Sequence, residues 1–142
     1  MIIRRSCTGL IVNAKFLEQT PHTKRKYKIP HVSIEFSEGL EQTHDIQSIC
    51  NEVFTALADQ GSFPNAAAIE VRAVPVAYFR VGTEPQTFAH ARLSLMSDRD
   101  DATRLRLNQT IPGVLEKALP DVASLTVQEI EMTAATYAKR VL

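Results

Sequence analysis

Cysteine is scarce in this sequence, with only Cys7 and Cys50 among 142 residues. Two cysteines do not make a disulfide framework, which argues against a small secreted domain held by disulfides. Cys50 falls on the apolar face of a predicted helix and is interpreted as a core residue. The four histidines have no ligand-like spacing, so no metal site is predicted. No P-loop, dinucleotide-binding glycine motif or nucleophile elbow occurs, and we expect no cofactor.

Long apolar runs are also missing. No stretch approaches the roughly 20 residues that a membrane helix needs. The apolar stretch 10–12 is too short for the apolar region of a signal peptide. Hydrophobic residues are 44% and charged residues 23% of the chain, ordinary values for one globular domain. We therefore expect a cytoplasmic protein with no membrane partner.

An excess of charge of either sign is absent overall, because 16 basic side chains balance 16 acidic ones. The distribution is uneven, however. Residues 1–29 carry seven basic side chains against Glu18 alone, whereas residues 30–142 carry nine basic and 15 acidic ones. This step predicts a basic N-terminal arm over 1–29 and a folded domain over 30–142. The arm is a candidate for contact with nucleic acid or anionic lipid, although a tail without function is the favoured interpretation.

Regular patterns begin at residue 31. Alternation at Val32, Ile34 and Phe36 predicts a strand. A stripe with helical spacing from Ile46 to Ala58 predicts an amphipathic helix. Thr43 or Asp45 can cap this helix, and Gly61 suits the left-handed position after its last turn. A second strand is predicted from the alternation of Ile69, Val71 and Ala73, ending at Pro75.

The second half repeats this order. Residues 88–96 predict a strand, and residues 99–119 a helix capped by Ser97 or Asp98. Pro112-Gly113 should kink or divide that helix. Leu125 and Val127, followed after a change of phase by Ile130 and Met132, predict a fourth strand. The last ten residues are predicted to form an irregular tail.

Two strand–helix–strand units predict an α+β fold, with one four-stranded sheet and both helices on one face. A helix that connects two strands of one sheet makes them parallel, with a right-handed crossover. The sheet face that the helices leave uncovered could form a second apolar surface, with Val32, Ile34, Val71 and Leu93. An uncovered apolar face normally marks assembly, so a homo-oligomer is expected.

Several segments, in order, resemble the 5-carboxymethyl-2-hydroxymuconate isomerases of the tautomerase superfamily. The opening Pro30-His31 and the strand after it match the start of that family. The family's Gly-x-Phe-Pro segment is similar to Gly61-Ser62-Phe63-Pro64. Its Ile-Arg-x-Arg strand is similar to Ala68–Ala73, and its Phe-Val-His-x-Thr-Leu strand is similar to Phe88–Leu93. Arg99 falls where the family has an arginine at the start of its second helix. Val127–Glu131 resembles its last strand.

The resemblance implies a two-repeat β-α-β tautomerase fold, a homotrimer and a cofactor-free isomerase. The implied reaction converts a 2-hydroxymuconate-type dienol to its keto form during aromatic-acid breakdown. The base in the family is an N-terminal proline, which points to Pro30. The arginines that would bind substrate carboxylates are Arg72 and Arg99.

The sequence departs from the family at two of these positions. Pro30 is preceded by 29 residues, so its nitrogen is an amide without a basic lone pair. It becomes the base only if the working protein begins at Pro30, through removal of the arm or a start of translation at Ile29. Glu70 stands where the family has its first strand arginine. It shares a strand face with Arg72, and the two side chains could pair.

Three functional hypotheses follow. The first is the isomerase, with Pro30 as acid and base. The second is a catalytically silent or substrate-divergent relative that assembles without turnover. The third is a ferredoxin-like module that binds RNA, since that fold also runs strand–helix–strand twice. The matching strands offer only Phe88 as an aromatic residue, and the domain is acidic, so nucleic acid is an improbable partner.

Overall fold

Two strand–helix–strand units follow each other in the computed structural model, which describes residues 29–140. The first unit consists of β1 (His31–Ser37), α1 (Ile46–Asp59) and β2 (Glu70–Val76). The second consists of β3 (Phe88–Met96), α2 (Asp101–Ala118) and β4 (Ser124–Met132). The predicted element order is therefore confirmed. The greater part of the predicted basic arm lies outside the described residues, and its boundary at residue 29 stays a prediction.

The four strands form one mixed sheet in the order β2-β1-β3-β4. β1 is parallel to β2, β3 is parallel to β4, and the two units meet where β1 and β3 run antiparallel. This confirms the predicted α+β tautomerase-like architecture. It argues against the ferredoxin-like module, because in that fold the two strands of a βαβ unit are split by another strand. Here the two strands of each unit are direct neighbours.

Both helices pack on the same face of the sheet. Every second residue of the strands and one apolar stripe of each helix pack together in a single core. This core includes Val32, Ile34, Phe36, Val53, Leu57, Ala91, Leu93, Leu107, Ile111 and Leu115. Cys50 is buried in α1, as its helical spacing predicted. Burial of this apolar surface is the dominant favourable contribution to folding.

The predicted second apolar surface is wrong. The β1 register places Val32 opposite both Val71 and Leu93, so these side chains share one face. Val32 and Leu93 are 0% exposed in the core beneath the helices. The opposite face, which we call the open face, therefore carries the strand residues that alternate with the core residues. They include His31, Ser33, Glu35, Arg72 and Arg92. It is mainly polar, because alternation that supplies one apolar face leaves polar residues for the other.

Helix ends agree only partly with the sequence-based assignment. Asp45 caps α1 by accepting a hydrogen bond from the Ser48 amide at 2.9 Å, and Gly61 has the expected positive φ of 66°. The cap of α2 is Asp100, which bonds the Thr103 amide at 2.8 Å, rather than Ser97 or Asp98. Pro112 lies inside α2 without dividing it.

The predicted change of phase in β4 does not occur. Glu129 and Glu131 continue the face begun by Leu125 and Val127, where they pair with Arg104 of α2. Arg104 Nη2 lies 2.6 Å from Glu129 Oε1, and its Nη1 lies 3.2 Å from Glu131 Oε2. β4 is an edge strand, so these carboxylates keep a contact with water while they bind the arginine.

Within residues 29–140, no helix is long and apolar enough to cross a membrane.

Candidate active site

Pro30 lies at the entrance to β1 and is fully buried. Its carbonyl accepts a hydrogen bond from the Glu70 amide at 3.2 Å, which ties it to the first residue of β2. Ile29, 3% exposed, precedes it. In this covalent state the proline nitrogen is acylated and has no proton to give or accept. Its burial would, however, place a free amine at this position in a largely apolar environment.

Strand polarity brings several distant segments to the end of the sheet where Pro30 lies. β1 and β2 begin there because they are parallel, whereas β3 ends there because it runs antiparallel to β1. The register pairs His31 with both Glu70 and Ser94. Arg99 follows the end of β3 within three residues. The topology therefore places Pro30 and Arg99 at the same end of the sheet.

Arg99 is an unusual arginine because it is only 9% exposed. Its guanidinium carbon lies 4.5 Å from the centre of the Phe63 ring, within the range of a cation–π contact. Nη1 donates to the Ser62 carbonyl at 3.3 Å. Nε and Nη2 are buried and have no hydrogen-bond partner among the described residues. Burial lowers the pKa of Arg99, while the neighbouring Asp98 and Asp100 oppose that shift.

The position of the Arg99 backbone is set by the two elements that flank it, β3 and α2. It lies in the short connection between β3 and the Asp100 cap of α2, so both a strand and a helix fix its backbone. Phe63, 7% exposed, belongs to the core and supplies the ring beneath the guanidinium. An arginine held in this way has donors ready for a carboxylate, which is the ligand that its planar fork matches best.

Arg72 is placed differently. It lies on β2 opposite Ser33, exposed on the open face. The pairing with Glu70 that the sequence allowed is absent, and Arg72 makes no ion pair with any described residue. Its side chain is thus available for an anionic ligand, but it lies on the face away from the helices.

Glu70 is paired instead with the C-terminal segment and with β1. Its Oε1 lies 2.7 Å from Lys139 Nζ, which also donates to the Ala68 carbonyl at 3.2 Å. Its Oε2 lies 3.0 Å from His31 Nδ1, a distance that fits an ion pair although the alignment is poor for a hydrogen bond. The hydrogen bond from Lys139 is the main cause that lowers the pKa of Glu70, and His31 adds to it. The carboxylate is thereby neutralised locally.

Tyr137 completes this cluster, and no pattern in the sequence pointed to it. Its hydroxyl oxygen lies 2.7 Å from His31 Nε2, and the two rings are 5.5 Å apart. Burial raises the pKa of Tyr137, and the charge of Lys139 opposes this. The segment after β4 was predicted as an irregular tail. Its described part, residues 133–140, lacks strands and α-helices, but it returns to the start of β1 and β2.

The remaining arginines that the sequence offers are used elsewhere or are solvated. Arg92 pairs with Glu35 across β1 and β3 on the open face. Arg104 is held by β4 as described above. Arg80 is exposed in the connection between β2 and β3. Among residues 29–140, no group of three histidine, cysteine, aspartate or glutamate side chains has the arrangement of a metal site.

Comparisons with known proteins concern the family and the fold of this chain. Residues 30–139 match the family model described as 5-carboxymethyl-2-hydroxymuconate isomerase. No curated protein sequence gives a significant match.

Solved structures extend the likeness in fold. A 5-carboxymethyl-2-hydroxymuconate delta-isomerase superimposes with a TM-score of 0.68 at 22% identity, over 81% of this chain and 89% of that one. A 5-carboxymethyl-2-hydroxymuconate isomerase from Deinococcus radiodurans R1 gives 0.70 at 18% identity, over 80% and 90%. A fused 4-OT described as an asymmetric trimer gives 0.61 at 15% identity, over 77% and 91%.

Proposed function

We propose that this chain, which belongs to the 5-carboxymethyl-2-hydroxymuconate isomerase family, is a cytoplasmic, cofactor-independent tautomerase of aromatic-acid catabolism. Its substrate would be a 2-hydroxymuconate-type dienol, such as 5-carboxymethyl-2-hydroxymuconate, which it would convert to the keto form. The observation that carries the proposal is that the strand topology puts Pro30 and the buried guanidinium of Arg99 at the same end of the sheet. A buried cation with unsatisfied donors at the same end as a potential amine base suits an anionic substrate.

Pro30 acts as the acid and base in this proposal, provided that the working chain begins there. A free α-amino group has a pKa of about 7.7–8.0 in water. The burial of Pro30 would lower that pKa towards the operating pH, because the charged form loses solvation. Such an amine can take the proton of the 2-hydroxyl group and return a proton to a carbon of the same conjugated system. No metal or redox step is needed.

Arg99 and Arg72 are the proposed substrate-binding residues. Arg99 has two buried donors with which to hold a carboxylate and to stabilise the negative charge that develops on the dienolate. Arg72 is exposed on the open face, where it could hold a second carboxylate or the same group in a neighbouring subunit. Glu70 would not repel the substrate strongly, because the Lys139 ammonium lies 2.7 Å from its carboxylate and neutralises it.

The proposed assembly is a homotrimer. The support is the fold shared with a protein described as a trimer, together with apolar side chains on the β2 edge and in the connection that follows it. Val74 is 44% and Phe79 37% exposed. An edge strand with exposed apolar neighbours is suited to contact with a second copy of the chain.

The test compares two proteins, the full chain and a chain that begins at Pro30 after removal of the initiator methionine. Both are assayed by ultraviolet absorbance for ketonisation of 5-carboxymethyl-2-hydroxymuconate and of a phenylpyruvate-type enol. The proposal expects turnover by the shorter protein, and at least a 100-fold loss in its Arg99→Gln variant. Arg80→Gln, which changes an exposed arginine, serves as the matched control. Lack of turnover by the shorter protein on either enol would contradict the proposal.

The second candidate function is a silent assembly domain. It is favoured by the acylated nitrogen of Pro30 in the full chain. This candidate expects an oligomer by light scattering and no turnover, even when the chain begins at Pro30.

A further inference from the structure

Four ionisable side chains form a continuous line of contacts beside Pro30. The line begins at Tyr137, whose hydroxyl lies 2.7 Å from His31 Nε2. His31 Nδ1 lies 3.0 Å from Glu70 Oε2, and Glu70 Oε1 lies 2.7 Å from Lys139 Nζ. The sequence separations of 106 between Tyr137 and His31 and 69 between Lys139 and Glu70 show that only the fold brings these groups together.

We infer that Tyr137 is a second acid–base catalyst, served by His31 and Glu70 as positioning residues, which acts on a small enol carboxylate in the chain that retains its N-terminal residues. This inference rests on the proposed tautomerase function and names a different group for proton transfer. It addresses the form of the protein in which the nitrogen of Pro30 is an amide.

The order of the contacts gives each group a role. With the proton of neutral His31 on Nδ1, facing Glu70, Nε2 accepts a hydrogen bond from the Tyr137 hydroxyl. Burial raises the pKa of Tyr137, so the hydroxyl proton moves to Nε2 as the Tyr137 oxygen takes a proton from the substrate. The resulting imidazolium is stabilised by the Glu70 carboxylate. This is the logic of an acid–histidine–hydroxyl relay, in which the middle group receives the proton and the acid stabilises its charged form. Glu70 acts here as a charge 3.0 Å from Nδ1 rather than as an aligned hydrogen-bond acceptor.

The reaction balances without any added reagent. As Tyr137 passes its proton to His31, the Tyr137 oxygen takes the proton of the substrate enol hydroxyl. The enolate electrons move through the conjugated system, and the regenerated Tyr137 hydroxyl delivers its proton to the carbon that becomes saturated. His31 then returns its proton to Tyr137. One C–H bond forms and one O–H bond breaks, and the protein ends in its starting state.

The partial burial of His31 and Lys139 and the charge of Lys139 favour a catalytic site over a contact formed only on the surface. The side chain of His31 is 17% and that of Lys139 11% exposed, so the line is partly shielded from water. The Lys139 charge favours ionised Glu70, which the relay requires. Arg72 follows Glu70 by two residues on the same strand face and makes no ion pair with the described residues. An anionic substrate held by Arg72 would therefore lie on the face where the relay is placed.

The backbone around the relay is well fixed, which a positioning role demands. His31 and Glu70 are register partners on adjacent strands. The amide of Glu70 is bonded to the Pro30 carbonyl at 3.2 Å, and Lys139 is also anchored to the Ala68 carbonyl at 3.2 Å. The alternative is that Tyr137 and Lys139 only dock the C-terminal segment.

The experiment uses the full chain, with ketonisation of a phenylpyruvate-type enol and of 5-carboxymethyl-2-hydroxymuconate followed by absorbance. Intact mass is measured before and after each assay, so that any chain shortened to Pro30 is detected. The variants are Tyr137→Phe, which keeps the ring but removes the hydroxyl, and Glu70→Gln. Tyr78→Phe is the matched control, since Tyr78 is 95% exposed. kcat, KM and Tm are determined for each.

The relay expects turnover by the intact full chain, a fall in kcat of about 100-fold or more in Tyr137→Phe, and a fall of about tenfold in Glu70→Gln. KM should change less than twofold, and Tyr78→Phe should match the parent. A docking role alone would lower Tm or change KM and leave kcat intact, which would overturn the inference. It would also be overturned by an intact full chain with no turnover, or by equal losses in Tyr137→Phe and Tyr78→Phe. The chain that begins at Pro30 tests the proposed function separately.

Discussion

Replacement of Arg99 by methionine should stabilise the ligand-free protein while it weakens the binding of anions. Arg99 is 9% exposed, and two of its nitrogens have no partner among the described residues. Each buried donor without a partner costs about 1–3 kcal/mol. The substitution removes both. It keeps a long, flexible side chain that can still pack on the Phe63 ring, since methionine sulfur makes favourable contacts with aromatic rings.

The magnitude follows from the contacts that are lost. Arg99→Met gives up the hydrogen bond to the Ser62 carbonyl, which for a charged donor contributes about 1.5–3 kcal/mol. It exchanges a cation–π contact of about 0.5–2 kcal/mol for a sulfur–aromatic contact of similar size. Against the gain from two orphaned donors, the net expectation is a stabilisation of about 1–2 kcal/mol. This corresponds to a rise in Tm of several degrees for a domain of this size.

Urea unfolding followed by circular dichroism measures this change directly, as a higher midpoint at constant m. Arg106→Met is the control, because Arg106 is exposed and substitutions at such sites usually change stability by less than about 0.5 kcal/mol. A dicarboxylate such as succinate should raise the Tm of the parent protein and leave Arg99→Met unchanged, since ligands stabilise only the state that binds them. A loss of stability greater than 1 kcal/mol in Arg99→Met would refute the reasoning. It would make Arg99 a structural residue whose donors are satisfied by water.

Four further outcomes are expected. Leu93→Ala should lower the free energy of unfolding by about 3 kcal/mol in urea titrations, because the side chain is 0% exposed in the core. A double-mutant cycle of Glu70→Gln and Lys139→Met should show a coupling of about 0.5 kcal/mol or less, since the Glu70 side chain is 46% exposed. The His44 hydrogen bond lowers the pKa of Asp121; its stabilising effect is therefore full above the unfolded pKa of about 3.9 and disappears as pH falls through the lower folded pKa. The Tm difference between the parent and Asp121→Asn should accordingly be clear at pH 7 and vanish near pH 2. Light scattering at micromolar concentration should give the mass of a trimer, and a monodisperse monomer would contradict the proposed assembly.

The elements were predictable because their signals are local. The period of two at Val32, Ile34 and Phe36 gave β1, and the helical stripe from Ile46 gave α1, in agreement with the structure. The cap of α2 was displaced to Asp100 because Ser97, Asp98 and Asp100 are all competent acceptors. Only the three-dimensional path after β3 decides which of them begins the helix.

The assignment of faces required tertiary information. Alternation shows that a strand has an apolar and a polar face, but not that Val32, Val71 and Leu93 must share one face. Their common orientation is set by the register of β1 with β2 and β3. A one-residue slip would reverse it. In β4 the same limit applied to Glu129, whose carboxylate remains on the helix face because Arg104 reaches it from α2.

The C-terminal segment marks the point at which pattern-based reasoning fails for the site. Neither Tyr137 nor Lys139 belongs to a periodic element, and a short tail with one aromatic residue has no signal that distinguishes a docked segment from a loose one. The resemblance could propose Pro30 and Arg99 as site residues, because it refers to positions along the chain. It left Glu70 without a role. A carboxylate near an anionic substrate would repel it, and its presence is explained only when the groups that pair with it are known. The contacts with Lys139 and His31 supply those partners, and they make Glu70 an inner member of the connected line that runs from Tyr137 through His31 to Lys139.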